Sequence, residues 1–267
     1  MNDPHSLKPA YHMKTGRTFA EVVVGIPTVK REKENYLHNT ITVSFYYNST
    51  LIVVMVGETD LDFTKAVESG LIEVISPSAA YYPDFETLPD TLGDSHKRVK
   101  WRTKQNLDAI FLMSYAQSKG TLYLMLEDDV LAKNNYMQVY QALHGIYHGV
   151  GGIGKLFRSS DLIHFITYVQ LFYNNMPIDW LLESLVLTTV HLQKDCGAAK
   201  EKIRPKFKSS LFQHIGLYSS LKGKIQNVKV PKCPRFLIFL ALLLIVTLEN
   251  KHKLGRYLST HIYSNNL

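Results

Sequence analysis

Cysteine is scarce in this chain of 267 residues, which has only Cys196 and Cys233. Two cysteines exclude a disulfide-rich scaffold, and their separation excludes the paired spacing of a structural zinc site. A single disulfide between them remains open. The cysteine content therefore leaves the redox compartment undecided.

Long hydrophobic runs are also absent. Residues 1–18 are polar and contain no apolar signal or anchor region. Residues 236–248 form an apolar run without charge, but as a helix they would span only about 20 Å, whereas a bilayer core is roughly 30 Å thick. A tail anchor, an interfacial segment and a buried helix remain open; membrane contact is favoured because no polar face interrupts the run.

The two common phosphate-binding loops are missing as well. Neither GxxxxGK[ST] nor GxGxxG occurs, which argues against a P-loop NTPase and a dinucleotide oxidoreductase. The net charge is +7, yet no Lys/Arg-rich block interleaves with aromatic residues, so nucleic acid is not an expected partner. A hydrophobic content of 46% is ample for a sizeable core.

Continuous apolar segments alternate with helical patterns along the first half of the chain. Strands are predicted at 21–25, 51–57, 71–75 and 122–126. A long helix is predicted to begin after Ser95, with Gly25 and Gly120 marking a strand end and a helix end. This order predicts an α/β fold with a mostly parallel, doubly wound sheet. Further helices are predicted at 134–143 and 177–187, and residues 160–173 are predicted to form a helix or a long strand. The glycine-rich stretch 145–154 has no clear element.

Three consecutive carboxylates, Glu127, Asp128 and Asp129, follow the fourth predicted strand. Oxygen ligands at the carboxyl end of a buried strand favour a hard cation such as Mg²⁺ or Mn²⁺, shared with the phosphates of a substrate. The alternative is that these acids cap and solvate a following helix. Gly25 and Gly57 end their predicted strands in the same way, which indicates one shared site at this edge.

Seven strings in the chain resemble, in order, the N-acetylglucosaminyltransferase IV family. They are GIPTVKRE (25–32), VGETD (56–60), SGLIEVISP (69–77), RVKWRTKQNLD (98–108), LEDDV (126–130), PIDWLLE (177–183) and SLFQHIGLYSSLKGKIQ (210–226). The similarity covers the family's conserved domain at 19–227. It leaves a polar segment at 1–18 and an unrelated tail at 228–267.

The resemblance implies a GT-A-like fold, with a Rossmann-like nucleotide-binding half and an acceptor-side half. The implied donor is UDP-GlcNAc, the implied ion is Mn²⁺ or Mg²⁺, and the implied acceptor is the α1,3-mannose arm of a glycoprotein N-glycan. It also implies a location at the membranes of the Golgi or secretory pathway.

The resemblance further assigns donor-side roles to individual residues. Asp129 and His214 are the implied metal ligands, and Glu127 and Asp128 would contact the sugar, the ribose or metal-bound water. The remaining residues implied to bind the nucleotide are Gly25, Pro27, Thr28, Glu58, Asp60, Arg102 and Gln105.

An inverting transfer requires a base on the acceptor side, and the resemblance assigns this role to Asp179. The apolar ring of Trp180 beside it is a setting that suits a base. Glu183 lies one helical turn further along and is the competing candidate. The alternative is that Asp179 only caps the helix that follows it.

Three departures from the family pattern affect the predicted function. The family's amino-terminal anchor and stem are missing, the stretch 140–154 is shortened, and the tail from 228 is unrelated. A lost strand would leave backbone groups unpaired and alter the acceptor pocket. The alternative function is therefore a noncatalytic relative that binds and regulates another Golgi glycosyltransferase.

Overall fold

The computed structural model describes residues 8–29, 31, 36–44, 49–56, 64–133, 136, 147–148, 154–190, 194–203, 211–221 and 224–226. The chain divides into two compact units, Met1–Val228 and Lys229–Leu267. All described residues belong to the first unit, so the apolar run 236–248 and Cys233 lie outside them. None of the described helices is long and apolar enough to cross a membrane.

Strands and helices alternate through the first unit. The strands are β1 (Tyr11–Met13), β2 (Ala20–Thr28), β3 (Thr50–Val56), β4 (Ile72–Ser76), β5 (Gly120–Met125), β6 (Val130–Ala132), β7 (Tyr147–His148), β8 (Lys155–Arg158) and β9 (Phe212–His214). The helices are α1 (Leu37–Ser44), α2 (Thr64–Glu68), α3 (His96–Ala116), α4 (Leu162–Phe172), α5 (Ile178–Val190) and α6 (Cys196–Ile203).

Seven of the described strands form one sheet, in the order β1-β4-β3-β2-β5-β8-β7. The central strands β4, β3, β2 and β5 are mutually parallel, while β1, β8 and β7 run antiparallel to their neighbours. The predicted α/β class with a mostly parallel, Rossmann-like sheet is confirmed. The parallel strands place their carboxyl ends at one edge, where ligands of such folds gather.

Strand β2 is longer than the sequence pattern predicts. The predicted turn at Gly25 is wrong, because the strand continues through Pro27 to Thr28 and pairs with β3 over that whole length. On the other side, the pairing with β5 ends at Gly25 opposite Met125. The Gly25 carbonyl faces β5. Because alternate residues of a strand face the same neighbour, Pro27 also faces β5. The pairing with β5 has already ended there, so the N–H that proline lacks is not needed.

Helix α3 begins after Ser95 as predicted, and Leu107, Ile110 and Phe111 form its buried face. The predicted role of Gly120 is wrong: it is the first residue of β5, not a helix cap. A Cβ atom there would lie 2.6 Å from Val23 Cγ2 and 2.8 Å from the Ala20 carbonyl oxygen. Close approach to β2 therefore explains this glycine.

Helix α4 falls within the segment 160–173, where a helix or a long strand is predicted, and α5 falls within the predicted helix 177–187 except that it extends to Val190. The helix predicted at 134–143 lies outside the described residues except for Tyr136. Most of the glycine-rich stretch lies outside them too. Cys196 is exposed at the start of α6.

The main hydrophobic core lies between the sheet and helices α3, α4 and α5. Phe157 of β8 stacks on Phe165 of α4, with ring centroids 5.5 Å apart. Burying a large apolar side chain contributes about 1.5–3 kcal/mol. This packing fixes β5 and β8 side by side and so provides a rigid base for the acidic triplet.

Candidate functional site

The acidic triplet lies just beyond the carboxyl end of β5, between that strand and β6. Asp128 and Asp129 are buried, whereas Glu127 is exposed. Burying two adjacent carboxylates is costly unless cations or hydrogen-bond donors compensate them. The partners of each carboxylate therefore indicate what the site is built to do.

Asp128 has a partner on both carboxylate oxygens. The Thr28 hydroxyl donates to Oδ2 at 2.6 Å, and the Arg31 guanidinium donates to both oxygens at 2.6 Å. Burial alone would lower the pKa of Arg31, but the hydrogen bond and charge of Asp128 outweigh it and raise that pKa. Asp128 is therefore committed to an ion pair that holds the end of β2 against the triplet.

Asp129 is different, because its Oδ1 is buried and has no hydrogen-bond partner among the described residues. The same holds for His214 Nδ1, which faces Oδ1 at 3.3 Å. On the other edge of the ring, Nε2 lies 2.9 Å from Glu127 Oε2. The carboxylates of Asp129 and Glu127 raise the pKa of His214 to about 10.

Glu127, Asp129 and His214 each offer a ligand atom, and these atoms lie within 4.8 Å of one another. Two carboxylates and an imidazole suit Mn²⁺ and related divalent ions. The observation that fits a bound cation is that Asp129 Oδ1 and His214 Nδ1 are buried and face each other at 3.3 Å, without a hydrogen bond among the described residues. Because ligating histidine must be neutral, binding would displace a proton from His214.

Residues 211–221, which we call the strap, fold over the triplet. Within the strap, β9 pairs with β6, and the Ile215 N–H donates to the Asp129 carbonyl at 2.9 Å. The Tyr36 hydroxyl accepts from the N–H groups of Leu217 and Tyr218. The strap thereby places His214 beside Val130 of β6, more than 80 residues earlier in the chain.

Gly216 of the strap packs directly on Asp129. A Cβ atom at this position would lie 1.9 Å from Asp129 Oδ2, which no side chain can tolerate. No local sequence pattern predicts a role for Gly216 or for Arg31. Both fall within the strings that resemble the family, which is the signal that marks them.

The structure places the predicted nucleotide-binding residues of β2 at the same edge. Thr28 contacts Asp128 directly. Gly25 is packed against Tyr123 of β5, since a Cβ atom there would lie 2.2 Å from the tyrosine hydroxyl oxygen. Glu58 and Asp60 lie outside the described residues.

Arg102 and Gln105, also predicted to bind the nucleotide, lie on α3. Arg102 is buried and is held by Asp94 and by Thr91 rather than joined to the triplet. Gln105 is exposed. A neighbour on α3 does reach the strap, because the Trp101 indole N–H donates to the Ser220 hydroxyl at 3.2 Å.

The predicted bases lie on α5. Asp179 is in the first turn of this helix and forms an ion pair with Lys155 of β8, and Trp180 beside it is exposed. Lys155 is opposite Met125, two residues before the triplet. The structure thus connects Asp179 to the sheet edge that carries the triplet, and Glu183 lies one turn along α5.

Comparison with known proteins places this chain among glycosyltransferase sequences. Residues 1–232 match the family described as the MGAT4 conserved region. The chain is 43% identical over 260 residues to alpha-1,3-mannosyl-glycoprotein 4-beta-N-acetylglucosaminyltransferase A of Rattus norvegicus, covering 85% of this chain and 49% of that protein. It is also 44% identical over 256 residues to alpha-1,3-mannosyl-glycoprotein 4-beta-N-acetylglucosaminyltransferase B of Homo sapiens, covering 84% of this chain and 47% of that protein. The chain therefore spans about half the length of the curated relatives it matches.

Two solved structures show a remote likeness to this chain. A 4-diphosphocytidyl-2C-methyl-D-erythritol synthase from Anaerococcus prevotii has a TM-score of 0.41 at 10% identity, covering 62% of this chain and 82% of that one. The glycosyltransferase GlyE of Streptococcus pneumoniae has a TM-score of 0.36 at 6% identity, covering 71% and 45%. Scores this low add nothing to the fold described above.

Proposed function

Because the chain belongs to the MGAT4 conserved region family, we propose that it transfers GlcNAc from UDP-GlcNAc to the α1,3-mannose arm of an N-glycan. The observation that carries the proposal is the triad of Glu127, Asp129 and His214 at the carboxyl edge of the parallel sheet. Its carboxylates and imidazole suit Mn²⁺ or Mg²⁺ beside a diphosphate.

On the donor side, Asp129, His214 and Glu127 would hold the divalent ion, whose charge would offset the charge that develops on the diphosphate as UDP leaves. Asp128 orients the end of β2 through Thr28 and Arg31. The other proposed contacts of the nucleotide are Gly25, Pro27, Glu58, Asp60, Arg102 and Gln105.

On the acceptor side, we assign the role of general base to Asp179. The acceptor hydroxyl oxygen forms a bond to the anomeric carbon from the face opposite UDP. The bond between that carbon and the diphosphate oxygen breaks, and its electron pair leaves with UDP. The hydroxyl proton passes to the Asp179 carboxylate, with Glu183 as the competing acceptor.

The same family assignment leads us to propose that the protein acts on glycoproteins in the Golgi. Contact of residues 236–248 with a membrane surface is part of this proposal, because the run carries no charge. Flotation of the full chain with anionic vesicles measures this contact. A variant with two lysines introduced in that run should float less.

Incubation of the full chain with UDP-GlcNAc, Mn²⁺ and a biantennary glycopeptide tests the transferase. Mass spectrometry should detect addition of one GlcNAc, and a chelator should abolish it. Asp129→Asn should weaken metal-dependent donor binding and lower transfer by about 100-fold. Asp179→Asn should retain donor binding and lower kcat by about 100-fold.

Asp84→Asn is the matched control, because Asp84 is exposed and only caps a short 3₁₀ turn. It should leave transfer unchanged. Donor binding by the unchanged chain without transfer to the glycopeptide would overturn the proposal. That result would instead support the alternative of a noncatalytic partner of another glycosyltransferase.

A further inference from the structure

Lys155 is a buried lysine, and no motif in the sequence predicts a role for it. Its side chain is only 4% exposed, while that of its partner Asp179 is 52% exposed. Removing an ammonium group from water costs several kcal/mol unless a well-placed carboxylate compensates it. The Asp179 carboxylate therefore compensates the buried ammonium of Lys155 by lying close to the first residue of β8.

The location of Lys155 links that ion pair to the candidate site. Strand β8 runs antiparallel to β5, so its first residue lies at the edge where β5 ends. Lys155 is opposite Met125, and the acidic triplet begins two residues later. The ammonium is thus fixed to the same strand pair that supports Glu127 and Asp129.

Helix α5 supplies the other half of the arrangement. Leu181 and Leu182 pack in the hydrophobic core, which fixes the position of the beginning of α5. Half of the Asp179 side chain is exposed, so burial alone does not fix the direction of its carboxylate. The ion pair with Lys155 directs the carboxylate toward the sheet edge.

We propose that Lys155 is a positioning residue, which holds the Asp179 carboxylate at the sheet edge so that it faces the acceptor hydroxyl. This inference rests on the proposed function and on the role of Asp179 as base. Lys155 forms no bond to substrate and exchanges no proton in the transfer. A base displaced by about 1 Å can lose roughly 100-fold in rate, so positioning of this kind is a large effect.

Lys155→Met in the full chain tests the inference, since methionine keeps the unbranched length and removes the charge. Steady-state kinetics should show kcat for transfer lowered by about 30- to 100-fold, with KM for UDP-GlcNAc within about twofold. Metal-dependent binding of UDP-GlcNAc, measured by calorimetry, should be unchanged. Lys155→Arg keeps the charge and should recover kcat to within about fivefold of the unchanged chain.

Lys119→Met is the matched control. Lys119 is another largely buried lysine paired with a carboxylate, Glu73, at 2.9 Å, but it precedes the amino end of β5. If loss of a buried ion pair acted only through stability, the two methionine variants would lose Tm and kcat alike. A drop in kcat confined to the Lys155 variant supports the inference.

The outcomes separate the inference from the proposed function. Transfer that is lost in Asp179→Asn but retained in Lys155→Met overturns the inference alone. Absence of transfer by the unchanged chain overturns the proposed function, and the inference falls with it. If Lys155→Met fails to fold, Lys155→Arg decides: recovered kcat supports the inference, and kcat as low as in Asp179→Asn with intact donor binding overturns it.

Discussion

Asp128 and Asp129 are adjacent, equally buried and chemically identical, yet their surroundings give them different roles. Arg31 and Thr28 donate hydrogen bonds to the oxygens of Asp128. Arg31 also lies 3.5 Å from Oδ2 of Asp129, but Oδ1 of Asp129 faces the imidazole of His214 without a hydrogen bond. Environment, not residue type, decides which carboxylate is available to a cation. Arg31 lies 97 residues from Asp128, so no local pattern could have distinguished the two.

Replacement of Gly216 should impair the metal site specifically. In Gly216→Ala the new methyl group would occupy the position of Asp129 Oδ2, at 1.9 Å, and would force the carboxylate to turn away. Affinity for Mn²⁺ should fall at least tenfold, about the loss that follows when the support of a metal ligand is removed. Calorimetric titration of the full chain with Mn²⁺ measures it.

Gly16→Ala is the control, because nothing lies within 4 Å of a Cβ atom at that exposed position. It should bind Mn²⁺ as the unchanged chain does. Equal affinities of the two alanine variants would show that Asp129 is not required for the ion.

His214 should make the stability of the metal-free protein depend on pH. Asp129 and Glu127 raise its pKa in the folded protein from 6.5 to about 10. The protonated imidazole therefore stabilises the fold fully below about pH 6.5, and this contribution is lost as pH rises toward 10. In the presence of a chelator, the free energy of unfolding should fall across that window, as measured by urea denaturation.

His214→Gln should remove that part of the pH dependence and leave the remainder of the profile intact. The difference between the two profiles isolates the contribution of His214 to the free energy of unfolding. Parallel profiles between pH 6.5 and 10 would contradict the assigned interaction of His214 with the two carboxylates.

At the scale of elements, the β2–β5 pair contains an unusual contact. Tyr123 of β5 is fully buried against Gly25, and its hydroxyl has no hydrogen-bond partner in the described part of the chain. Tyr123→Phe should therefore be neutral or stabilising by up to about 1 kcal/mol, because it removes an unsatisfied polar group. Urea denaturation of the two proteins measures the difference.

Tyr81→Phe provides the comparison, since the buried Tyr81 hydroxyl donates to the Leu107 carbonyl at 2.8 Å. Loss of this hydrogen bond should lower the free energy of unfolding by about 1 kcal/mol. A larger destabilisation by Tyr123→Phe than by Tyr81→Phe would indicate that the Tyr123 hydroxyl is satisfied after all.

The four parallel strands and α3 could be predicted because their apolar runs and helical spacing are local signals. Strands β6 and β9 could not, since each has three residues and their pairing joins segments some 80 residues apart. The extension of β2 through Pro27 also escaped prediction, because it depends on where β5 stops pairing. Packing and strand neighbours decide such features, and a local pattern contains neither.

At the scale of the whole molecule, the candidate site is assembled from distant parts of the chain. The end of β2 contributes Thr28, the turn after β5 contributes the triplet, and the strap contributes His214. The family resemblance and the strand ends predict these residues. The contacts that join them, through Arg31, Tyr36 and Gly216, required the structure.

Truncation tests whether the first compact unit contains the complete metal site. Every described contact of the site lies within Met1–Val228. A chain ending at Val228 should bind Mn²⁺ with an affinity within about twofold of the full chain. A chain ending at residue 210 loses the strap, and with it His214 and the partner of β6, so that metal binding should fall by at least about 100-fold.

The shorter chain should also be less stable, because loss of the strap leaves β6 unpaired and removes the N–H that Ile215 donates to the Asp129 carbonyl. A buried carbonyl left without a donor costs about 1–3 kcal/mol, and several such losses coincide here. Calorimetric Mn²⁺ titration and urea denaturation of both truncated chains measure the two effects. If the chain ending at residue 210 bound Mn²⁺ as tightly as the chain ending at Val228, the strap could not supply a ligand. The cation would then be held by the acidic triplet alone.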